Sequence, residues 1–301
     1  MLIPVAPQWE TDVQGLKYAN PETVEEACTL LRDHGEDAAI LSGGQSLLPM
    51  LRQRVGSYDK VIDINGLPDL EYVRETDGEI RIGCLSRHVD VASSSVVEEH
   101  CPILADVAAE IGDVQVRNRG TFCGAVAHAD PSGDPPVVAT LLDATIVARN
   151  ADEKRTLSGS SFYHGFYETD LSKDELVTEV RFPVLSAGEG AGFEKYEPTE
   201  GAYPVATVGA YLSLADDGRI ENATLVTGAL EAGPTPMDDA AEVLEDREPT
   251  DDVLTEAAEQ LGEDTMPVDD FEGSAAFKTN ISKKLAKDAL QTALDRAENE
   301  R

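Results

Sequence analysis

The sequence predicts an α+β fold, and three observations predict it. Strand-like and helix-like stretches follow one another in mixed rather than strictly alternating order, which argues against a doubly wound parallel sheet. Two alternating segments, Tyr203–Leu214 and Arg219–Ala229, read as strands joined by the turn Asp216-Asp217-Gly218. Two helical patterns, Asp251–Leu261 and Ser274–Ala297, close the chain.

The opening segment reads as a strand–helix–strand unit. A helix starts after Asn20-Pro21, with Asn20 as cap and Pro21 at the first helical position. Val24, Ala27, Cys28, Leu30 and Leu31 form its apolar stripe, and His34-Gly35 ends it. Ala38 to Leu41 is a short buried strand that runs into Ser42-Gly43-Gly44. A second unit begins near Asp59, with strands at Val61–Ile64, ended by Asn65-Gly66, and at Glu79–Leu85. Helices follow at Val89–Glu99 and Pro102–Ile111, then a Gly-, Ala- and Thr-rich stretch from Val116 to Val138, then strands at Thr145–Arg149 and Leu176–Phe182. The third unit starts near Gly190, and no internal repeat is present.

The chain has 301 residues, enough for one large or two moderate domains. Asp and Glu number 58 against 24 Lys and Arg, a formal net charge of −34. Such a surface repels itself in dilute buffer, whereas at molar salt the Debye length falls to about 3 Å and the repulsion is screened. The acid excess therefore reads as adaptation to a salt-loaded, archaeal-type cytoplasm. Nucleic acid is excluded as a partner, since phosphate binding needs the opposite sign. No run approaches the roughly 18 apolar residues of a membrane span, and Met1–Glu10 has no secretory pattern, so a cytoplasmic location is expected. Cys28, Cys84, Cys101 and Cys123 are widely spaced; without a close-set pair, neither an iron–sulfur cluster nor structural zinc is expected, and the thiols should be free.

Two glycine-containing loops, each read as following an apolar strand, carry the candidate chemistry. In Ser42-Gly43-Gly44-Gln45-Ser46, adjacent glycines permit positive φ and a close approach of backbone N–H groups to an anion. Gln45 and Ser46 add side-chain donors. The second loop, Arg119-Gly120-Thr121-Phe122-Cys123-Gly124, leads into Ala125-Val126-Ala127-His128-Ala129-Asp130, small residues against which a flat cofactor can lie. Neither is a P-loop nor a dinucleotide fingerprint, and taken singly each is more often a plain turn.

The wording of these segments resembles the medium subunit of carbon monoxide dehydrogenases. The matching stretches are Ser-Gly-Gly-Gln-Ser-Leu-Leu-Pro-Met-Leu at 42–51, Asp-Ile-Asn-Gly-Leu at 63–67 and Gln-Val-Arg-Asn-Arg-Gly-Thr-x-x-Gly at 115–124. Ala127-His128-Ala129-Asp130-Pro131 with Asp134 and Pro136, Glu194-Lys195-Tyr196, Thr235-Pro236 and Gly273-Ser274-Ala275-Ala276-Phe277-Lys278 continue the match over nearly the whole chain. The resemblance implies an FAD-binding domain of the vanillyl-alcohol oxidase (para-cresol methylhydroxylase) type over 1–184, in parts of about 1–57 and 58–184, and a smaller C-terminal α+β domain over 190–301. It implies that Ser42, Gly43, Gly44, Gln45 and Ser46 wrap the FAD pyrophosphate, and that Thr121, Gly124 and Ala125 line the other side of the cofactor. Asp134 would bond a cofactor hydroxyl, Val177 and Lys195 would lie near the isoalloxazine ring, and Tyr203 would cover the flavin face. It further implies electron transfer within a molybdenum hydroxylase. A partner 2Fe–2S subunit would supply electrons, a large molybdenum-cofactor subunit would oxidise substrate, and an external acceptor would receive the electrons.

Two departures stand in the pattern, Cys123 for a glycine and Ala125 for a polar residue. They keep a scaffold that has lost FAD as one alternative, with a self-sufficient vanillyl-alcohol-type flavin oxidase as the other. His128 reads as a structural or cofactor-packing histidine, Cys123 as a packed small residue and Trp9 as packing. Arg117 and Arg119 either anchor their loop or face a partner. Glu231 to Glu272 is acidic and reads as a solvated face. Lys278, Lys283, Lys284 and Lys287 form a basic run that either docks an acidic partner or pairs with neighbouring acids.

Overall fold

The computed structural model describes residues 16–299, so Trp9 and the N-terminal pattern lie outside the described residues. The first layer comprises β1 (Lys17–Ala19), α1 (Val24–His34), β2 (Ala38–Leu41), α2 (Leu47–Gln53) and β3 (Lys60–Asp63). Its strands run parallel in the order β1-β3-β2. α1 begins three residues later than the Asn20-Pro21 expectation. Thr23 is extended, and its hydroxyl takes the Glu26 N–H at 3.1 Å, so Thr23 is the cap. The far end is as expected, at Gly35 with φ +54°. β2 is half-buried rather than buried, because Ala38, Ala39 and Ile40 line a cavity. β3 pairs with both β1 and β2, so a division at 57/58 would cut a sheet through its centre; the first layer extends to Asp63. α2 has no counterpart in the sequence reading. Pro49 falls in its first turn, where an N–H is unsatisfied in any case.

The second layer is a five-stranded antiparallel sheet with a helical excursion. After β4 (Val73–Thr76) and β5 (Glu79–Gly83) come α3 (His88–Ala92), α4 (Ser95–His100), α5 (Pro102–Glu110), α6 (Val114–Arg117), α7 (Phe122–His128) and α8 (Asp134–Leu141). The chain then returns through β6 (Thr145–Arg149), β7 (Lys154–Ser158), the small hairpin β8 (Tyr163–Gly165) and β9 (Glu168–Thr169), and β10 (Leu176–Pro183). The order is β4-β5-β10-β6-β7. The single helix expected over 89–99 breaks at Ser93-Ser94, because Ser94 caps a new helix through the Val97 N–H. The second glycine-containing segment follows a helix, α6, and not a strand. Thr121 occupies the N-cap position of α7 without a side-chain capping bond, and Cys123, Gly124 and Ala125 are in its first turn. Phe122 drives α7 onto the sheet, meeting Phe182 edge-on with ring centroids 5.9 Å apart over a core that includes Ile80 and Ile82.

The third layer is the antiparallel sheet β11 (Glu189–Tyr196), β12 (Ala206–Leu214), β13 (Ile220–Gly228) and β14 (Thr235–Pro236), with α9 (Asp238–Glu242), α10 (Asp251–Asp264) and α11 (Ala275–Asn299). Its core joins Val208 and Leu212 to Leu254, Leu261 and Leu290. α11 lies close on β11 because the strand carries glycine beneath it: a Cβ on Gly190 would stand 2.6 Å from the Ala297 nitrogen. β12 starts at Ala206, leaving Tyr203 in the preceding loop. The basic run on α11 is neutralised within the fold. Lys278 pairs with Asp270 at 2.5 Å, Lys283 with Glu259 at 2.6 Å, Lys287 with Asp251 at 2.7 Å, and Lys284 with Asp288. Among the described residues no helix is long and apolar enough to cross a membrane.

Candidate functional site

Where β2 ends and α7 begins, the first two layers meet around a cavity of about 460 Å³, a size typical of ligand pockets. Ser42, Gly43, Gly44, Gln45 and Ser46 line it from one side, Thr121, Gly124 and Ala125 from the other, and Val177 from β10. Asp134, Lys195 and Tyr203 stand elsewhere, at the seam between the second layer and the third.

The cavity wall is backbone because glycine makes it so. Gly44 has φ +73°, which turns the chain into α2. A Cβ on Gly43 would lie 2.6 Å from both the Arg119 carbonyl oxygen and the Gly120 Cα, so the two loops touch main chain to main chain. A Cβ on Gly124 would strike the Thr121 hydroxyl. Thr121 and Ser42 are hydroxyl to hydroxyl at 3.0 Å, and Ser42 donates to the Cys84 carbonyl at 3.3 Å, tying the loops to β5. The turn closes onto α2 through main-chain bonds, Leu48 N–H donating to the Gly44 carbonyl at 3.1 Å and Met50 N–H to the Ser46 carbonyl at 3.2 Å. Small residues, a wall of main chain and paired hydroxyls suit an anionic, partly flat cofactor.

Three residues to which sequence reasoning assigns no role hold this cradle together. Asn65 donates to the Ser42 carbonyl at 2.8 Å and to Asp63 Oδ1 at 2.7 Å. Arg87 bridges the two loops, donating to Asn65 Oδ1 at 2.6 Å and to the Arg119 carbonyl at 2.7 Å. His88 lines the cavity against Gly120, and its buried Nδ1 has no partner. Burial, with Arg117 and Arg87 nearby, lowers its pKa to about 4, so the ring is neutral at neutral pH. Asn65 lies in the quoted 63–67 motif; Arg87 and His88 give no local signal, since their partners are brought in by the fold.

The remaining features resolve in the same way. Arg117 anchors its loop, donating to the carbonyls of Ile111 and Gly112 at 3.1 and 2.9 Å. Cys123 sits inside α7, fully buried, with its thiol on the Ile82 carbonyl at 3.3 Å; it needs no positive φ and leaves the cradle intact. All four cysteines are buried, and none forms a disulfide. His128 lines the cavity and rests against the Tyr167 ring, with centroids 5.1 Å apart. Among the described residues no cluster of His, Cys, Asp or Glu could hold a metal ion.

At the seam, Lys195 reaches from β11 to the N-terminus of α8. Its Nζ lies 3.0 Å from Asp134 Oδ2 and 3.6 Å from Glu197 Oε2, and it donates to the Glu110 carbonyl at 2.8 Å. Asp134 and Lys195 are both almost wholly buried, and Asp134 Oδ1 has no partner, an acceptor left for a hydroxyl. Burial outweighs Lys195 and raises the Asp134 pKa to about 6. Tyr203 is 62% exposed in the loop that packs on Gly112 through Gly201.

Comparison with known proteins fits this geometry. Residues 12–185 match the family described as the FAD binding domain in molybdopterin dehydrogenase, and 191–293 match the CO dehydrogenase flavoprotein C-terminal domain. The chain is 34% identical to the glyceraldehyde dehydrogenase medium chain of Sulfolobus acidocaldarius, over 91% of this chain and 96% of that one. It is 32% identical to the 6-hydroxypseudooxynicotine dehydrogenase complex subunit alpha of Paenarthrobacter nicotinovorans, over 93% and 95%. A solved carbon monoxide dehydrogenase from Hydrogenophaga pseudoflava superposes with a TM-score of 0.89 at 32% identity, covering 93% of this chain and 98% of that one. With the cradle, the two matched segments and these relatives, the chain belongs to the FAD-binding medium subunits of the carbon monoxide and xanthine dehydrogenase family, subunits of oxidoreductases whose cofactor is FAD.

Proposed function

We propose that this chain is the electron-transfer subunit of a molybdenum hydroxylase, taking electrons from the iron–sulfur clusters of a small 2Fe–2S partner and delivering them to an external acceptor. A large molybdenum-cofactor chain would oxidise the substrate, and the three chains would form a heterotrimer in a salt-loaded cytoplasm. FAD, when bound, supplies the redox chemistry, and the protein supplies position and electrostatics. The observation that carries the reading is the backbone-to-backbone contact of Gly43 with Arg119 and Gly120, which brings the two loops together main chain to main chain beside a cavity.

In this reading the first two layers form a two-part domain of the vanillyl-alcohol oxidase type, and residues from about 190 onward form the C-terminal domain. Ser42–Ser46 hold the pyrophosphate with main-chain donors and hydroxyls, while Thr121, Gly124 and Ala125 exclude water from the other side. Asp134 accepts from a cofactor hydroxyl through its free oxygen, and Lys195 keeps that carboxylate charged. Val177 and Lys195 border the isoalloxazine ring and Tyr203 shields its face. The relatives name different substrates, glyceraldehyde and 6-hydroxypseudooxynicotine; that pattern suits a subunit that handles electrons and leaves substrate choice to another chain.

Anaerobic rapid mixing of the assembled complex with its substrate tests this. Iron–sulfur absorbance should bleach before flavin absorbance, and the lone chain loaded with FAD should oxidise neither CO, a purine nor an aldehyde. Turnover of any of these by the lone chain contradicts the proposal.

A further inference from the structure

A diphosphate is a doubly negative group, and the cavity between the two loops offers it no permanent cation. Among the described residues that line the cavity there is no lysine or arginine, and only His88 and His128 can become positive. The arginines nearby are committed elsewhere. Arg87 donates to Asn65 and to the Arg119 carbonyl, and Arg117 to the carbonyls of Ile111 and Gly112. Arg119 is exposed and does not line the cavity. The carboxylate on the wall, Glu175, is paired with Arg155.

The two histidines are not equivalent. His128 ends α7, rests on the Tyr167 ring and has Asp130 near it. His88 stands where the loops touch. Its ring packs on Gly120 so closely that a Cβ there would lie 2.8 Å from Cδ2 and 3.0 Å from Nε2, and the same Gly120 abuts Gly43. Its main-chain N–H donates to the Gly120 carbonyl at 3.0 Å, and Phe122 meets the ring edge-on with centroids 6.2 Å apart. His88 is 3% exposed, and its Nδ1 is buried with no partner. A buried nitrogen without a hydrogen bond is destabilising until something at the site completes it.

The surroundings of His88 by themselves keep the ring neutral. Burial is the main cause, and the cations Arg117 on α6 and Arg87 at the cap of α3 add to it. The acid on its own helix, Asp90, accepts from the Arg87 N–H at 2.8 Å. Packed on α3, α5 buries Ile103, Leu104 and Val107, and its acids Asp106 and Glu110 are met by Arg296 and Lys195. Cys84 and Cys123, on the same stretch of wall, are thiols that burial keeps protonated. An anion beside the imidazole reverses this balance, because it favours the charged form.

We propose that His88 takes up a proton from solvent when the diphosphate of FAD is bound, and supplies as imidazolium the counter-charge that the rest of the cavity wall lacks. The inference rests on the reading that Ser42–Ser46 and Thr121–Ala125 hold FAD. The sign of the pH dependence follows. The fold holds the His88 pKa at about 4, and the diphosphate raises it. Between the two values the loaded chain carries more protons than the free one, so affinity falls as pH rises through that window.

FAD is titrated into the purified chain in molar salt between pH 5.5 and pH 8, by flavin fluorescence and by calorimetry in two buffers of different ionisation enthalpy. The proteins are wild type, H88Q, H88N and the control H164Q, whose exposed ring on β8 pairs with Asp170. Wild type and H164Q should take up protons on binding and bind at least about tenfold more tightly at pH 5.5 than at pH 8. H88Q and H88N, checked for folding by circular dichroism, should lose that uptake, with their deficit in affinity largest at pH 5.5 and smallest at pH 8. Asp134 and His128 also titrate, but they are present in all four proteins and cancel in the comparison. Imidazole nitrogen resonances of the wild type at pH 6 give a second readout, in which one of the five histidine rings should pass from neutral to protonated on adding FAD. Uptake as large in H88Q and H88N as in wild type overturns the inference and passes the role to Asp134 or His128. FAD bound by the wild type with no uptake and no change in any ring overturns this inference alone. A chain that takes FAD at no pH overturns the reading of the two loops as well.

Discussion

Gly43→Ala should weaken FAD binding by about ten- to a hundredfold while the chain still folds. The new methyl would sit 2.6 Å from the Arg119 carbonyl oxygen and the Gly120 Cα, and 2.8 Å from the Thr121 nitrogen. All three are main-chain atoms, and Arg87 and Asn65 hold the two loops, so neither can move as a flexible side chain would. Overpacking of this kind costs about 1–3 kcal/mol, and each 1.4 kcal/mol is about tenfold in affinity if the strain falls on the loaded cradle. Titration of FAD by flavin fluorescence in molar salt reads the affinity, with circular dichroism as the check on folding. Gly233→Ala is the control: its Cβ would meet only the Tyr163 Cβ, at 3.9 Å, and both readouts should match wild type. Wild-type affinity in Gly43→Ala would show that the loop contact does not shape the site.

Lys195→Met should destabilise the protein by about 3–5 kcal/mol near pH 8, the cost of leaving a buried charge without its partner. Lys195 is the cation facing Asp134, Glu197 and the Glu110 carbonyl, and Asp134 is already short of one hydrogen bond. The deficit has a pH signature. Burial raises the Asp134 pKa from 3.8 to about 6 in the fold. Between those values the folded state binds more protons than the unfolded one, so this group's contribution to stability falls as pH rises through that window. Removing Lys195 pushes the carboxyl higher still, because Lys195 is what holds it down. The variant should therefore be closest to wild type near pH 5 and worst above neutrality, and adding Asp134→Asn should recover much of the loss. Denaturant unfolding at pH 5 and pH 8 in molar salt measures both. An equal deficit at the two pH values would remove Asp134 as its source.

The parts of this site that were legible in the sequence are those whose physics is local. Gly43-Gly44 after an apolar strand announces a tight turn wherever it occurs, and the His34-Gly35 stop is equally local. The Thr121–Ala125 segment was legible only through its resemblance to a family. As a pattern it reads as a loop, because a run of Phe, Cys, Gly, Ala and Val has too few polar residues to mark a helix face, although tertiary packing makes it α7. α2 was hidden by Pro49, a helix breaker everywhere except in the first turn, where it sits. The cradle's staples could not be read at all. Arg87 acts on Asn65 and Arg119, 22 and 32 residues away, and Lys195 on Asp134, 61 residues away. The α11 lysines show the same limit from the other side: Lys283 and Lys287 find Glu259 and Asp251 on α10, so a run that looks like a docking surface is an internal seam between two helices.

One spectrum bears most directly on the central claim, that this chain is a flavin-bearing subunit without clusters of its own. The chain is purified alone in molar salt, its visible absorbance is recorded, and the cofactor released by acid is identified by chromatography. The account predicts FAD approaching one per chain, directly or after added FAD, with no iron–sulfur absorbance. A colourless chain that also refuses added FAD would contradict it.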